Sequence, residues 1–566
     1  MDPLDDRKDL NLPTSKMWRS ETLLALLALL PNALPVRATP VDYNADSLVS
    51  RATSFNNPVL WEDYPDLDVF RVGDVFYYSS STFAFSPGAP VLKSYDLVNW
   101  TPVSHSVPTL NFGTKYDLPS SSNRAYVKGI FASTLRYRKS TDTFIWLGCV
   151  EYGKSWVWTA PGMNAAANNG EVSKWTWTAK GTLPCYYDSG LLIDDDDTMY
   201  VAYGGTQIHV AQLNKDGTAE VKNQQVYVSP GNEAIEGSRM YKKNGYYYIF
   251  VTKPASSEWV LRSKSPWGPY ERQILVDSIA GPLSSAGNAH QGGIVDTKDG
   301  NWYYVAFMDA YPGGRIPVVA PLTWSNDWPS VVKVNNQWGK SYPMPVQTSK
   351  TVPASTGVDN FAGPSLSNEW EWNHNPDTSK ISFVSGGGLQ LKTATVTNDL
   401  FSARNTLTHR ILGPKSSGTF KLDISKMVDG DRAGAVLFRD IAAYIGIHKE
   451  GTSAKLVMVN NLSLDSTWKT VATGTVAATG PTLAASTTSL WLQIRSDITP
   501  AFGTNTARTS TFWYSTDGTN FIQLGPAFPM SNTWQFFTGY RFGTFNFATK
   551  ALGGMVGVKS FELKTL

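Results

Sequence analysis

Three features of the sequence predict an all-β fold, a five-bladed β-propeller followed by a β-sandwich. A unit of hydrophobic strand, polar hairpin turn and aromatic-rich strand recurs five times before residue 346; a Ser/Thr/Pro/Gly stretch then interrupts it; and short alternating strands with no helical period fill the remainder. The copies read PDLDVFRVGDVFYYSSS from Pro65, GIFASTLRYRKSTDTFIWLG from Gly129, DSGLLIDDDDTMYVAYGG from Asp188, EGSRMYKKNGYYYIFVTK from Glu236 and HQGGIVDTKDGNWYYVAFMD from His290. Repeats of about 40 to 60 residues, each holding about four short strands, are the mark of propeller blades around a central channel. Third and fourth strands recur as APVLKSYDLVNW, EWVLRSKSPWGPY and RIPVVAPLTWSNDW, and Trp100, Trp267 and Trp328 in them read as blade-to-blade packing residues.

After Val346 the stretch QTSKTVPASTG reads as a linker. Segments such as GGLQLKT, TFKLDI, AGAVLF, YIGIH, SLWLQIR and TSTFWYS then alternate in the manner of a sandwich of about 200 residues, with the closing GVKSFEL pairing back near its start. The expected organisation is 1–38 upstream extension and signal peptide, 39–345 propeller, 346–358 linker and 359–566 sandwich. Lys16 to Arg19 form a small basic region, Leu23 to Leu30 an apolar run, and Val36-Arg37-Ala38 a cleavage site, so secretion with cleavage after Ala38 is expected. The apolar run is far shorter than the ~20 residues a membrane span needs.

Composition narrows the function. Lys+Arg 49 against Asp+Glu 47, with no basic run, lacks the footprint of a nucleic-acid binder. Cys149 and Cys185, the two cysteines, do not make a disulfide scaffold, and the sequence leaves open whether they are bridged. Asn99-Trp100-Thr101 and Asn461-Leu462-Ser463 are glycosylation sequons, the first in a patterned strand that would bury it. Nothing in the chain demands more than a monomer.

In a propeller, equivalent ends of the innermost strands meet at one channel mouth, which here gathers Asp66, Asp188, Glu236 and His290. Three acids at one rim repel one another, which raises at least one pKa and points to acid/base chemistry. Cleavage of a glycosidic bond with inversion needs a general acid and a general base about 6.5 to 9.5 Å apart, a separation that different blades can supply. Asp68 lies two residues beyond Asp66, on the same side of a regular strand, and competes with it for the base role. Glu233 is a weaker alternative acid, and Asp194 to Asp197 read as a solvated hairpin turn.

At these residues the chain resembles glycoside hydrolase family 43, whose propellers carry such a trio. Asn57-Pro58-Val59-Leu60 followed by Tyr64-Pro65-Asp66 is similar to the family's opening motif, which implies Asp66 as general base. By the same resemblance Asp188 is the pKa-modulating aspartate, Glu236 before Gly237 the general acid, and Arg315 after Gly314 an arginine that contacts the sugar. His290-Gln291-Gly292-Gly293 is similar to the segment with the family's channel histidine, which has a calcium or a water near it; no cofactor is required, and a structural calcium is implied by resemblance alone. The family's usual proline after the base is Leu67 here, and its Trp-Ala-Pro segment is Phe131-Ala132-Ser133. Phe83, Phe85 and Phe131 are candidates to line the pocket.

The resemblance covers the propeller and extends into the sandwich as a concanavalin-like jelly roll. The segments WEWNHNPD from Trp370 and ARNTLTHR from Ala403 look most like those of fungal α-L-arabinofuranosidases that debranch arabinoxylan, including doubly substituted xylose. The expected activity is thus a secreted, inverting, exo-acting hydrolase on plant cell-wall arabinoxylan or its oligosaccharides. A β-xylosidase of the same family, a non-catalytic carbohydrate-binding propeller and a protein scaffold remain as alternatives.

Overall fold

The structure is a computed structural model and describes residues 52–566, so the expected signal peptide and its cleavage site lie outside the described residues. Five four-stranded antiparallel sheets form the blades. The first comprises Asp68–Val72, Val75–Ser79, Gly88–Ser94 and Thr101–Val107; the second Ile130–Arg138, Thr143–Val150, Lys154–Pro161 and Thr178–Pro184. The third runs Gly190–Ile193, Met199–Gly205, Gln207–Leu213, Glu220–Val228; the fourth Glu236–Lys243, Tyr246–Lys253, Ser257–Ser263, Glu271–Asp277; the fifth His290–Asp296, Trp302–Asp309, Arg315–Ser325, Trp328–Val331. The aromatic-rich strand of each sequence copy is the second strand of its blade, where rings such as Tyr78, Trp146, Tyr248 and Tyr304 are buried.

The ring closes where Ser54–Asn56 pairs with Ser341–Pro343. Asn57 completes the closure, because its side chain donates to the carbonyls of Val319 (2.9 Å) and Gly339 (3.0 Å) and accepts from Val319 N (2.9 Å). One buried amide thereby satisfies backbone groups from the fifth blade and the closing segment, which accounts for an asparagine at the head of the opening motif.

Charged pairs tie neighbouring blades at their turns. Asp194 to Asp197 are more than a solvated turn: Asp194 is buried and engages Lys242 and Tyr247 of the fourth blade, while Asp197 engages Arg138 and Ser140 of the second. Glu233 pairs with Lys253 at 3.1 Å on the surface. Trp267 packs edge-on against Tyr200 of the third blade, and Arg262 of the fourth lies 4.0 Å over the ring of Trp328, as blade-to-blade packing requires. Trp100 instead packs edge-on against Tyr78 of its own blade. Asn99 is exposed in the bend before Thr101–Val107 rather than in a strand, although Thr101 of its sequon is buried.

Cys149 and Cys185 are joined by a disulfide. It links the second strand of the second blade to the residue just after its outermost strand, closing a loop with a separation of 36 residues.

The sandwich has two sheets around an apolar core that includes Leu389, Leu391, Phe420, Leu437, Ile445 and Phe561. Alternation is explicit in Ser489–Asp497, where Leu490, Leu492 and Ile494 point inward. The closing strand Met555–Thr565 pairs with Gly357–Asp359 at the start of the sandwich, as its pattern predicts. The second sheet does not stop at the domain boundary. Its edge strand Trp370–Asn373 pairs with Phe85–Ser86 of the propeller, so one sheet runs through both domains.

The face between the domains joins an apolar cluster, with Phe85 and Tyr126 of the propeller against Phe401 and Phe438 of the sandwich, to a set of buried polar groups. Glu371, 0% exposed, accepts from Arg410 (2.9 Å) and Arg541 (2.6 Å) of the sandwich and pairs with His105 (3.2 Å) of the propeller. Asn375 exchanges two hydrogen bonds with the backbone of Leu110. Glu371, Asn375 and Arg410 belong to the WEWNHNPD and ARNTLTHR segments, whose distinctive residues are thus those that face the propeller. Phe85 lies under the Arg541 guanidinium at 3.6 Å and does not line the channel mouth.

Candidate active site

Each blade approaches or begins its innermost strand through a left-handed residue: Asp66 (φ 54°), Gly129 (105°), Asp188 (50°), Gly237 (70°) and Gln291 (47°). Such a conformation is uncommon outside glycine and costs about 1 kcal/mol or more. Here it turns the chain into the channel at the mouth, and in the second, fourth and fifth blades the strand register shifts at the same place. This twist also removes the ambiguity between Asp66 and Asp68, since side-chain alternation fails across a left-handed residue. Asp66 stays at the mouth, whereas Asp68 is fully buried and accepts from Thr134 Oγ1 (2.7 Å), Leu135 N (3.0 Å) and Arg136 of the second blade.

Asp66, 6% exposed, pairs through Oδ1 with Arg315 Nη1 at 2.5 Å and accepts from the Ser81 hydroxyl at Oδ2. A guanidinium and a hydroxyl on its two oxygens suit an ionised carboxylate. Arg315 is in turn oriented: Asp63 accepts from its backbone N (2.7 Å), and its Nε donates to the carbonyl of Phe537 (3.2 Å). Its Nη2 has no hydrogen-bond partner among the described residues.

Asp188, 5% exposed, accepts from Gly237 N at 3.2 Å. Burial first, then the neighbouring carboxylates of Glu236 and Asp66, push its carboxyl well above the usual range. Asp188 therefore keeps its proton at a pH where an isolated carboxyl has lost its own. Glu236 Oε2 accepts from Tyr187 Oη at 2.9 Å. Burial and the two carboxylates raise the Tyr187 hydroxyl, so it remains a donor.

His290 is buried beside the ring of Phe307 (4.7 Å between centroids) with Nδ1 2.9 Å from the Asn288 carbonyl. A carbonyl only accepts, so Nδ1 is the donor in this contact. Calcium prefers six to eight oxygens. Among the described residues no group of three or more His, Cys, Asp or Glu could hold a metal, so the protein groups around His290 do not fit a calcium by themselves.

An aromatic wall runs along one side of the mouth. Phe83 contacts Phe131 (5.7 Å), Phe131 contacts Tyr152 (5.4 Å), and Tyr152 contacts Tyr187 (5.1 Å), ending at Glu236. At its other end Phe537 of the sandwich stacks on Phe83 at 5.5 Å and 17°, with the Arg315 guanidinium 5.7 Å from the Phe537 ring. The structure therefore brings Asp66, Asp188, Glu236, Arg315, Phe83 and Phe131 into one site and places His290 in the blade next to Glu236. Tyr187 and Ser81 escaped sequence reasoning although they adjoin motif residues in the chain. Tyr152 and Phe537 carry no local signal, and only the fold brings them in.

The model for glycosyl hydrolases family 43 matches residues 55–329, and that for a β-xylosidase C-terminal concanavalin A-like domain matches residues 358–564. A β-xylosidase of Formosa agariphila is 28% identical over 96% of this chain and 97% of its own, and a non-reducing end α-L-arabinofuranosidase of Bacteroides ovatus is 28% identical over 68% and 74%. One solved structure comes from active-site engineering of a GH43 enzyme that generated both endo-xylanase and exo-arabinofuranosidase activity. It is 62% identical, covers 91% of this chain and 100% of its own, and superposes with a TM-score of 0.89. With that identity over the whole of the relative, and both domains matched, the chain belongs to glycoside hydrolase family 43.

Proposed function

We propose that this family 43 hydrolase is secreted and removes terminal α-L-arabinofuranosyl residues from arabinoxylan side chains with inversion. Asp66 acts as base, ionised against Arg315, and activates a water on the face of the sugar opposite the leaving group. Glu236 is the acid that protonates the leaving oxygen, and Asp188 beside it keeps a proton available in the pair. Arg315 Nη2, without a partner among the described residues, is a donor for a sugar hydroxyl. Phe83, Phe131 and Phe537 offer flat apolar faces, and His290 Nε2 a polar atom, to the bound sugar or an ordered water. The single observation that carries the reading is the meeting of Asp66, Asp188 and Glu236 at one channel mouth, with Arg315 on Asp66 and Tyr187 on Glu236, which sets two carboxyls on different blades as inversion requires.

The preference for arabinofuranose rests on the 62% identical relative, whose engineering retained or produced exo-arabinofuranosidase activity. A β-xylosidase is the second reading, favoured by the names of several relatives, among them those of Formosa agariphila and Xylanibacter ruminicola. Secretion is supported by the Cys149–Cys185 disulfide, since such bonds persist in oxidising compartments. A monomer suffices, because one chain supplies the propeller and sandwich walls of the site.

Proton NMR of wheat arabinoxylan during digestion tests the reading. Loss of arabinofuranosyl anomeric signals with release of free arabinose supports it, and the signals lost first identify singly or doubly substituted xylose as the target. Persistence of those signals with accumulation of free xylose transfers the assignment to a xylosidase.

A further inference from the structure

Beneath the trio lies a group that reaches the backbone that carries two of the three carboxylates. Arg239 follows Glu236 by three residues on the innermost strand of the fourth blade and is 1% exposed. Its Nη2 donates to the carbonyl of Asp66 (2.8 Å) and its Nε to that of Leu67 (2.8 Å), both in the first blade. Its Nη1 donates to Ser189 O (2.9 Å), next to Asp188 in the third blade, and to Ser238 O (2.9 Å) in its own. Asp68, 3.9 Å from Nε, is the nearby counter-charge.

We propose that Arg239 is the positioning residue of the acid trio, a guanidinium that fixes the backbone of three blades and so sets the carboxylates relative to one another. The inference rests on the trio reading given above. Asp66 and Asp188 both sit in left-handed conformations, which cost more than the ordinary backbone regions even for aspartate and are held by their surroundings. The carbonyls that Arg239 holds belong to Asp66 itself, to the residue after it and to the residue after Asp188. A planar fork with five donors binds four carbonyls in one geometry; a lysine ammonium, with a single nitrogen, does not. The approach of the strands is equally close. A Cβ on Gly190 would stand 2.6 Å from Arg239 Cα and 2.6 Å from Ser238 O, so the third blade packs directly on the backbone at Arg239.

The test compares R239K with D66N, D188N and E236Q in the full chain on 4-nitrophenyl α-L-arabinofuranoside and 4-nitrophenyl β-D-xylopyranoside. Circular dichroism identifies an assay temperature at which each variant is folded. The expected result for R239K is a fall in kcat of about 100-fold or more with KM within about 3-fold of the native enzyme, because misplacing reacting groups by about 1 Å costs on that order while the pocket that binds the sugar is kept. Native kcat per folded R239K molecule, with only the melting temperature lowered, overturns the inference. Should R239K be recovered only unfolded, R239Q, which keeps one amide donor, decides by the same readout: a kcat loss of about 10-fold or more with KM within about 3-fold supports the role, and native kcat overturns it. If D66N, D188N and E236Q all keep native kcat, the trio reading fails and the inference with it. If those three collapse while R239K does not, only the inference fails.

Discussion

At the scale of single residues, burial raises two carboxyls, one at the site and one away from it. Asp188 is raised by burial and then by Glu236 and Asp66, which gives the site its retained proton. Replacing it by asparagine removes the repulsion that opposes loss of the pair's last proton. The alkaline limb of the kcat/KM profile of D188N is therefore expected to move to lower pH, and a limb that stays in place or moves up refutes the coupling. Glu258, between the fourth and fifth blades, is held at about 8 from an ordinary 4.5, chiefly by burial, and accepts from Gln291 N at 3.0 Å. Its proton is lost on unfolding above pH 4.5 but kept in the folded protein up to about 8, so folding stability falls as pH rises through that window. Glutamine keeps the bond from Gln291 and has no proton to lose. The melting temperature of E258Q relative to the native protein should thus rise between pH 5 and pH 8 and level off above, by no more than a few kcal/mol of stability.

At the scale of elements, the blade is the unit that the sequence writes most clearly. Strand, polar turn and aromatic strand are local, and a period-2 pattern needs no distant partner to be read. The left-handed residue at the mouth was less legible: Gly129 and Gly237 announce it, whereas Asp66, Asp188 and Gln291 adopt it because channel contacts hold them there. That is why alternation wrongly set Asp68 beside Asp66. The cysteine pair was likewise open, since a separation of 36 residues does not say whether two strands bring the sulfurs together. In the second blade they do. Closing a loop of that length contributes about 3–4 kcal/mol in the chain-entropy account. C149S is expected to lower the melting temperature of the oxidised protein, while a reductant should lower that of the native protein toward it and leave C149S unchanged; equal melting temperatures for both proteins in oxidising buffer would dismiss the bond as a stabilising element.

At the scale of the whole molecule, the sandwich is part of the site. It supplies Phe537 to the aromatic wall, donates Gly539 N to Asp63 at 2.9 Å, and braces the Phe537 loop through Arg439, whose Nε donates to Thr538 O at 2.9 Å. Two domains that share a sheet edge and a buried Glu371 network are not independent, because separation strands Asp63 and His105 without their partners and bares Phe85. Residues 39–345 expressed alone are expected to show kcat/KM lowered by about 100-fold or more together with reduced solubility, measured by aryl-glycoside kinetics and size-exclusion chromatography. A propeller with full activity would reduce the sandwich to a passive appendage.

The sequence by itself determined the five blades, the sandwich, the positions of Asp66, Asp188 and Glu236 at equivalent strand ends, and the family. Each of these is carried by a short-range pattern or by a motif whose residues lie close together in the chain. Only the tertiary structure decided that Asp68 belongs to the buried channel, that the aspartate turn staples three blades, that the cysteines are joined, and that Phe537 reaches the sugar pocket from the sandwich. The physical reason is common to all four. They depend on contacts between segments tens to hundreds of residues apart, where no local periodicity records the partner and burial, rather than spacing, selects which polar groups meet.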